Sequence, residues 1–132
     1  MENLKKILID EGLACIIKQE DNIYKETERG VVPIVKHYEE GHLQNAYIVD
    51  KVIGKASAIF MILGGPKAIH GRVISEPALE IIQRNNIQVS YDEVVKNIIN
   101  RDGTDLCPME KSVLNEDDLN KGADTILWKI KK

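Results

Sequence analysis

Residues 52–63 constrain the fold more than any other part of the sequence. Lys55 is the only strongly polar side chain in this stretch, so a helix here has no hydrophilic face. A helix that is apolar on all sides lies inside a domain, covered by other elements. Residues 64–66, Gly-Gly-Pro, end it, because glycine adopts the left-handed cap and proline cannot continue the hydrogen-bond ladder. The sequence therefore predicts a central buried helix whose N-terminal end, residues 50–57, borders a pocket.

The composition fits one globular domain and argues against polyanionic partners. A chain of 132 residues can bury a sizeable core, and we treat residues 1–132 as a single domain. With 18 basic and 21 acidic residues the net charge is −3, which gives no electrostatic basis for binding nucleic acid or an anionic membrane. No apolar run approaches the roughly 18 residues that cross a bilayer. The first residues also lack the pattern of a signal peptide.

The cysteine content indicates a reducing compartment. Cys15 and Cys107 are the two cysteines and lie far apart in the sequence, which does not make a disulfide framework. Such usage is typical of proteins whose thiols stay reduced. We therefore expect a cytoplasmic location.

Apolar periodicity predicts helices and strands that alternate after an opening β-hairpin, formed by residues 13–17 and 23–27. The predicted later strands are 46–49, 68–74, 87–91 and 94–99, and the predicted helices lie around 4–8, 33–38, 52–63, 77–82, 108–110 and 119–130. Residues 94–99 also fit a helix, but their β-branched content favours a strand. This order predicts an α/β fold, a three-layer α/β/α sandwich with a mixed sheet.

Two parts of the sequence resemble a known family. Residues 52–56, Val-Ile-Gly-Lys-Ala, and residues 100–111, Asn-Arg-Asp-Gly-Thr-Asp-Leu-Cys-Pro-Met-Glu-Lys, resemble a small prokaryotic family catalogued as a domain of unknown function. That family is placed in the cytidine-deaminase-like fold. Residues 75–82 and 86–91 resemble the second site helix of that fold and the strand that follows it. The resemblance implies one pocket at the starts of the two central helices, for a small ligand such as a nucleoside.

The zinc chemistry of that fold does not follow from these residues. A zinc deaminase needs His or Cys two residues before a catalytic Glu, and a Pro-Cys-x-x-Cys pair on the next helix. Here the corresponding residues are Gly-Lys-Ala-Ser at 54–57 and Glu-Pro-Ala-Leu at 76–79, without a histidine or cysteine. Three nitrogen or sulfur ligands are therefore lacking. We expect no catalytic zinc, no other metal and no cofactor.

Cys107 is the first candidate catalytic residue. It precedes a predicted helix start, where unpaired amides and the helix dipole favour a thiolate. Lys111 and Arg101 would favour the thiolate further, and Glu110 or Asp105 would act as the acid or base. The alternative is that Cys107 is a small residue packed in the core.

Lys55 is the second catalytic candidate. A lysine inside an apolar helix reaches solvent, pairs with a carboxylate such as Asp50, or binds an acidic or carbonyl group of a ligand. Ser75 and Glu76, at the next helix start, would add a hydroxyl and a carboxylate to the pocket, although such a pair is also a common N-cap. The predicted ligand-binding residues are Asp50, Ser75, Glu76, Arg101, Asp105 and Lys111, beside the catalytic candidates Cys107, Lys55 and Glu110.

Two functions remain open at this point. The first is a zinc-independent enzyme or binding protein for a small ligand. The second is a catalytically inactive interaction or regulatory subunit, with residues 31–38 or the surface around Trp128 facing a partner. A homodimer is compatible with both, whereas nucleic acid and membrane partners are not expected.

Overall fold

The computed structural model describes residues 1–99, 103 and 106–131. Within these residues it has a five-stranded mixed sheet and six helices. In chain order the elements are α1 (Glu2–Asp10), β1 (Cys15–Gln19), β2 (Asn22–Glu26), α2 (Val31–Glu39), β3 (Tyr47–Ile53), α3 (Lys55–Gly64), β4 (Ala68–Ser75), α4 (Glu76–Arg84), β5 (Gln88–Val95), α5 (Pro108–Val113) and α6 (Leu119–Lys131).

The sheet has the strand order β2-β1-β3-β4-β5. β1 pairs antiparallel with β2 and β3, whereas β3, β4 and β5 are parallel to one another. The predicted hairpin and mixed sheet are therefore confirmed. Because α3 and α4 each follow a parallel strand directly, both helices begin at the same edge of the sheet. Any site at that edge lies beside two helix N-termini.

Helices cover both faces of the sheet, but unequally. Ile17, Ile48 and Ile69 face a large core built mainly with α2, α3, α4 and α6. On the opposite face, Leu8 of α1 belongs to a smaller cluster with Val49 of β3. The prediction of helices on both sides is correct, with most of the apolar packing on the side of α3.

The central helix is buried as expected but starts later than the apolar run. Val52 and Ile53 belong to β3 and pair with β4, so α3 begins at Lys55. The helix buries residues 55–62 on all sides. Gly65 caps it in the left-handed conformation, with φ 72°. Glycine adopts this conformation without a Cβ penalty, so the predicted helix end is confirmed.

The segment at the end of β5 differs in part from the predicted pattern. Residues 94 and 95 complete β5, but Ile98 and Ile99 lie beyond it, and Ile99 makes an isolated bridge with Leu106. The strand predicted for 94–99 is therefore correct only at its start. Among the described helices, none has the length and apolar character needed to cross a membrane.

Candidate functional site

A cavity of about 620 Å³ lies at the edge of the sheet where α3 begins. Its walls come from the start of β1, the C-terminal half of β3, and the first residues of α2, α3 and α5. Asp50, Cys107 and Glu110, all predicted site residues, line it. Cys15 lines it as well, although its apolar neighbours suggested only a core position.

Asp50 and Cys15 face each other across the β1–β3 pair, and both are buried. The thiol of Cys15 donates a hydrogen bond to the carboxylate of Asp50, and Asp50 Oδ1 also accepts from the Val52 amide at 3.1 Å. Burial raises the pKa of Asp50 to about 7, although these hydrogen bonds oppose the shift. Asp50 therefore exchanges its proton near neutral pH.

The Cys15 side of the pair behaves differently. Burial and then the negative charge of Asp50 raise the pKa of the Cys15 thiol well above its usual value. Cys15 therefore stays a protonated thiol that serves as a hydrogen-bond donor to Asp50. Its place opposite Asp50 follows from the antiparallel pairing of β1 with β3, a long-range contact that local sequence patterns do not show.

Glu110 caps the central helix from the neighbouring α5. Its buried carboxylate accepts hydrogen bonds from the backbone amides of Lys55 and Ala56, the latter at 2.9 Å. Burial raises the pKa of Glu110, while the two amides and the Lys55 charge lower it. Gly54 makes room for this contact, since a Cβ there would overlap the Glu110 carboxyl group. Glu110 is thus held as a helix cap, with both oxygens engaged, rather than as a mobile acid or base for Cys107.

Lys55 points away from this cavity. Its Nζ donates to the Leu114 carbonyl at 3.0 Å and lies 4.0 Å from Asp117 Oδ1. It lines a separate cavity of about 300 Å³, which also includes Glu76. Of the alternatives for Lys55, the ion pair with Asp50 is not formed, because the side chain leaves α3 on the side facing Asp117.

Ser75 and Glu76 have different environments although they are adjacent. Ser75 is buried, and its Oγ accepts from the Ala78 amide at 3.2 Å, which is the capping interaction. Glu76 is exposed and borders the smaller cavity. The two residues therefore do not join Asp50 in one pocket.

Cys107 lies at the N-cap position of α5, half-buried, with its side chain making no capping hydrogen bond. Lys111 is exposed on α5 and is not among the residues that line the larger cavity. Arg101 and Asp105 lie outside the described residues, so their predicted roles stay predictions. Within the described part of the chain, the larger cavity brings together Asp50, Cys107 and Glu110.

The helix starts do not fit the zinc site of a deaminase. Residues 54–57 and 76–79 offer no histidine or cysteine there, and the first amides of α3 already bind Glu110. Among the described residues, the group of metal-ligating side chains close enough to hold one ion is His37, Glu40 and His42, which lie elsewhere in the fold.

One of the two apolar segments expected to face a partner is mostly buried. Residues 31–38 form most of α2, which buries Val31, Ile34 and Val35 in the core. Val32, which is 47% exposed, is the large apolar side chain of this helix that lies on the surface. Trp128 on α6, by contrast, is 63% exposed.

Comparison with known proteins places the chain in a family. The profile of the family described as "Domain of unknown function (DUF1893)" matches residues 3–127. The chain is also similar to a solved structure, a DUF1893 family protein (TM1506) from Thermotoga maritima, with 31% identity and a TM-score of 0.91 over 97% of this chain and 88% of that one. No curated protein matches it. The chain therefore belongs to the DUF1893 family.

Proposed function

We propose that this protein binds a small, uncharged polar ligand of about nucleoside size in the 620 Å³ cavity, where Asp50 exchanges a proton or hydrogen bond with it. The observation that carries the proposal is the buried Asp50 carboxyl group in the cavity wall, with its pKa raised to about 7. A titratable group shifted in this way inside a cleft is typical of a functional site.

The size and lining of the cavity support a small organic ligand. Pockets for such ligands usually occupy about 300–1,000 Å³ and combine apolar walls with a few polar groups. Ile34, Val52 and Met109 supply apolar wall here, while Asp50 and Ser57 supply buried polar groups. A ligand with a flat, partly apolar ring and exocyclic polar atoms matches this combination of apolar wall and buried polar groups.

The Glu110 cap argues for a ligand without a phosphate at the α3 end of the cavity. A free helix N-terminus is a ready anion site, but here the amides of Lys55 and Ala56 already bind the Glu110 carboxylate. A phosphate near this point would meet a carboxylate rather than free amides. The proposal therefore concerns nucleosides, nucleobases and similar neutral compounds.

The proposal includes the assignment to the cytidine-deaminase-like fold without its zinc. The common starting edge of α3 and α4 supports it, because the resembling fold directs the same two helix N-termini to its site. The site itself differs, because the 620 Å³ cavity lies beside α2 and α5, whereas the start of α4 borders the smaller one. The assignment is therefore one of fold rather than of the deaminase reaction.

The chemistry available in the cavity is proton transfer. A group with a pKa near the working pH is the most effective general acid or base, and Asp50 meets that condition. In the enzymatic form of the proposal, the Cys107 thiol in the same cavity is the nucleophile. The sulfur adds across a C=N bond of the ligand's ring, and Asp50 carries the thiol proton to the ring nitrogen that receives the electron pair of that bond.

A thermal-shift panel of nucleobases, nucleosides and nucleotides tests the proposal. We expect a neutral compound to raise the melting temperature of wild type, since ligand at 100 times Kd adds about 2.7 kcal/mol to the free energy of unfolding. Asp50→Asn should lose this shift. Glu76→Gln should keep it, because Glu76 is exposed and lines the other cavity. If Asp50→Asn responds as wild type does, or if phosphorylated compounds alone bind, the proposal is wrong.

The exposed Trp128 supports a second candidate function, an interaction subunit. Aromatic residues are enriched at protein interfaces, and this one is 63% exposed on α6. Under this alternative the chain forms a homodimer or binds another protein through α6. Light scattering should then show a dimer that Trp128→Ala converts to a monomer, with no response to the compound panel.

A further inference from the structure

A second cluster of ionisable side chains lies at the opposite end of α2 from the cavity. His37 is in the last turn of this helix, and Glu40 and His42 follow it. One ligand atom from each of the three lies within 4.8 Å of the others. The nine residues of α2 rise about 13 Å, and residues 30, 31, 33 and 34 at its other end line the cavity. The cluster is therefore a separate place in the fold.

The hydrogen bonds inside the cluster fix one tautomer for each neutral imidazole. His37 Nε2 lies 2.6 Å from Glu26 Oε1, and a carboxylate only accepts, so Nε2 carries the hydrogen. His37 Nδ1 then has a lone pair, which faces His42 Nδ1 at 2.9 Å. His42 must donate there, and its Nε2 lone pair then faces the Glu40 carboxylate at 3.5 Å. A cation bound by the ring nitrogens and the carboxylate would replace this unfavourable contact with an attraction.

The rings are held in the orientation that a metal ion requires. Glu26 is the carboxylate partner behind His37, an arrangement that usually fixes the tautomer and the ring of a metal-ligating histidine. Tyr24 stacks on His42 with ring centroids 3.9 Å apart and planes 5° apart. The His37 side chain is only 6% exposed, whereas His42 and Glu40 are 21% and 47% exposed. The cluster is thus preformed on one side and open to solvent on the other.

We propose that His37, Glu40 and His42 bind a divalent transition-metal ion of the Zn²⁺ type. Two imidazole nitrogens and one carboxylate oxygen match the ligand preference of Zn²⁺, with water as the fourth ligand. Nitrogens bound to one tetrahedral zinc lie roughly 3.3 Å apart, so the 2.9 Å between the two Nδ1 atoms needs to open only slightly. The ion replaces the hydrogen between the rings, and both Nε2 atoms then carry hydrogens, His37 donating to Glu26 and His42 to water.

Zinc titration of the whole chain, prepared without a histidine tag and stripped with a chelator, tests the site. We expect one Zn²⁺ per chain in competition with a chromophoric chelator, and a rise in melting temperature on addition of Zn²⁺. Co²⁺ should give visible absorption bands typical of a four-coordinate nitrogen and oxygen site. Imidazole ¹⁵N spectra should show the Nδ1 signals of both histidines shifting.

Three variants give the test its controls. Glu40→Gln changes a half-exposed side chain, so it should fold, and it should weaken Zn²⁺ binding by about tenfold or more. His42→Ala should weaken it further, by at least 100-fold. His70→Asn changes the third histidine, which bonds Ser90 and Asp92 instead, and it should bind as wild type does. Absence of stoichiometric binding in wild type, or His42→Ala binding Zn²⁺ as tightly as wild type, overturns the proposal.

Discussion

Replacement of Gly54 by alanine probes the contact that joins α5 to the central helix. Gly54 has φ −101° and ψ 175°, an extended conformation that alanine adopts without strain. The added methyl group would instead overlap the carboxyl group of Glu110. That end of the glutamate can move, but in moving it leaves the amides of Lys55 and Ala56. The cost is therefore that of a lost helix cap.

The expected magnitude follows from the two hydrogen bonds. Loss of an N-cap costs about 0.5–2 kcal/mol, and hydrogen bonds to a charged group contribute about 1.5–3 kcal/mol each before the displaced carboxylate regains water. We therefore expect Gly54→Ala to lower the free energy of unfolding by about 2 kcal/mol. For a chain of 132 residues this corresponds to a fall of roughly 8 °C in melting temperature.

Urea unfolding of a double-mutant cycle measures this coupling. Wild type, Gly54→Ala, Glu110→Ala and the double variant are compared at one pH. In the Glu110→Ala background the new methyl group has no carboxyl group to displace, so its cost should fall below about 0.5 kcal/mol. The reasoning is refuted if Gly54→Ala costs the same in both backgrounds, since the loss would then come from the backbone and not from Glu110.

Two further predictions concern the Asp50–Cys15 pair. Burial raises the pKa of Asp50 from 3.8 to about 7. Between these two pH values the folded state therefore holds a proton that the unfolded state has released. The free energy of unfolding should decrease as pH rises through this interval, by about 4 kcal/mol from this group. Urea unfolding between about pH 4 and pH 7 should give a smaller slope in Asp50→Asn than in wild type, the difference amounting to about 4 kcal/mol over this interval; parallel slopes would contradict it. Iodoacetamide should modify Cys107 before Cys15 in the native protein, because Cys15 is 3% exposed with a raised pKa. Peptide mass spectrometry follows both sites, and equal rates would count against the pairing.

Local patterns were sufficient to predict much of the fold. The turn at Glu20-Asp21 between two short β-rich runs predicts the hairpin, and the Gly-Gly-Pro at 64–66 predicts the end of α3. Periodicity could not place the start of α3, because the apolar residues Val52 and Ile53 fit a buried strand and a buried helix equally well. Strand pairing with β4 decides that boundary, and pairing is a long-range property.

The candidate site was predictable only where residues lie near each other in sequence. Cys107 was found from its position before a helix start, and Asp50 from a predicted position before α3, although it lies within β3. The direction of the Lys55 side chain depends on Leu114 and Asp117, between α5 and α6. The role of Glu110 likewise depends on a contact across 54 residues to Ala56. Cys15 was missed because a cysteine among apolar residues gives no local sign of the carboxylate opposite it.

The Glu110 cap also affects the rates at which a ligand enters and leaves the cavity. α5 forms one wall of that cavity and is joined to α3 through the Glu110 carboxylate. A ligand too large to enter while α5 stays in place must wait until the cap opens, which adds about 2 kcal/mol to its barrier. Such a barrier slows entry and release alike by roughly thirtyfold. The same carboxylate that completes the central helix would then set the residence time of whatever binds beside it.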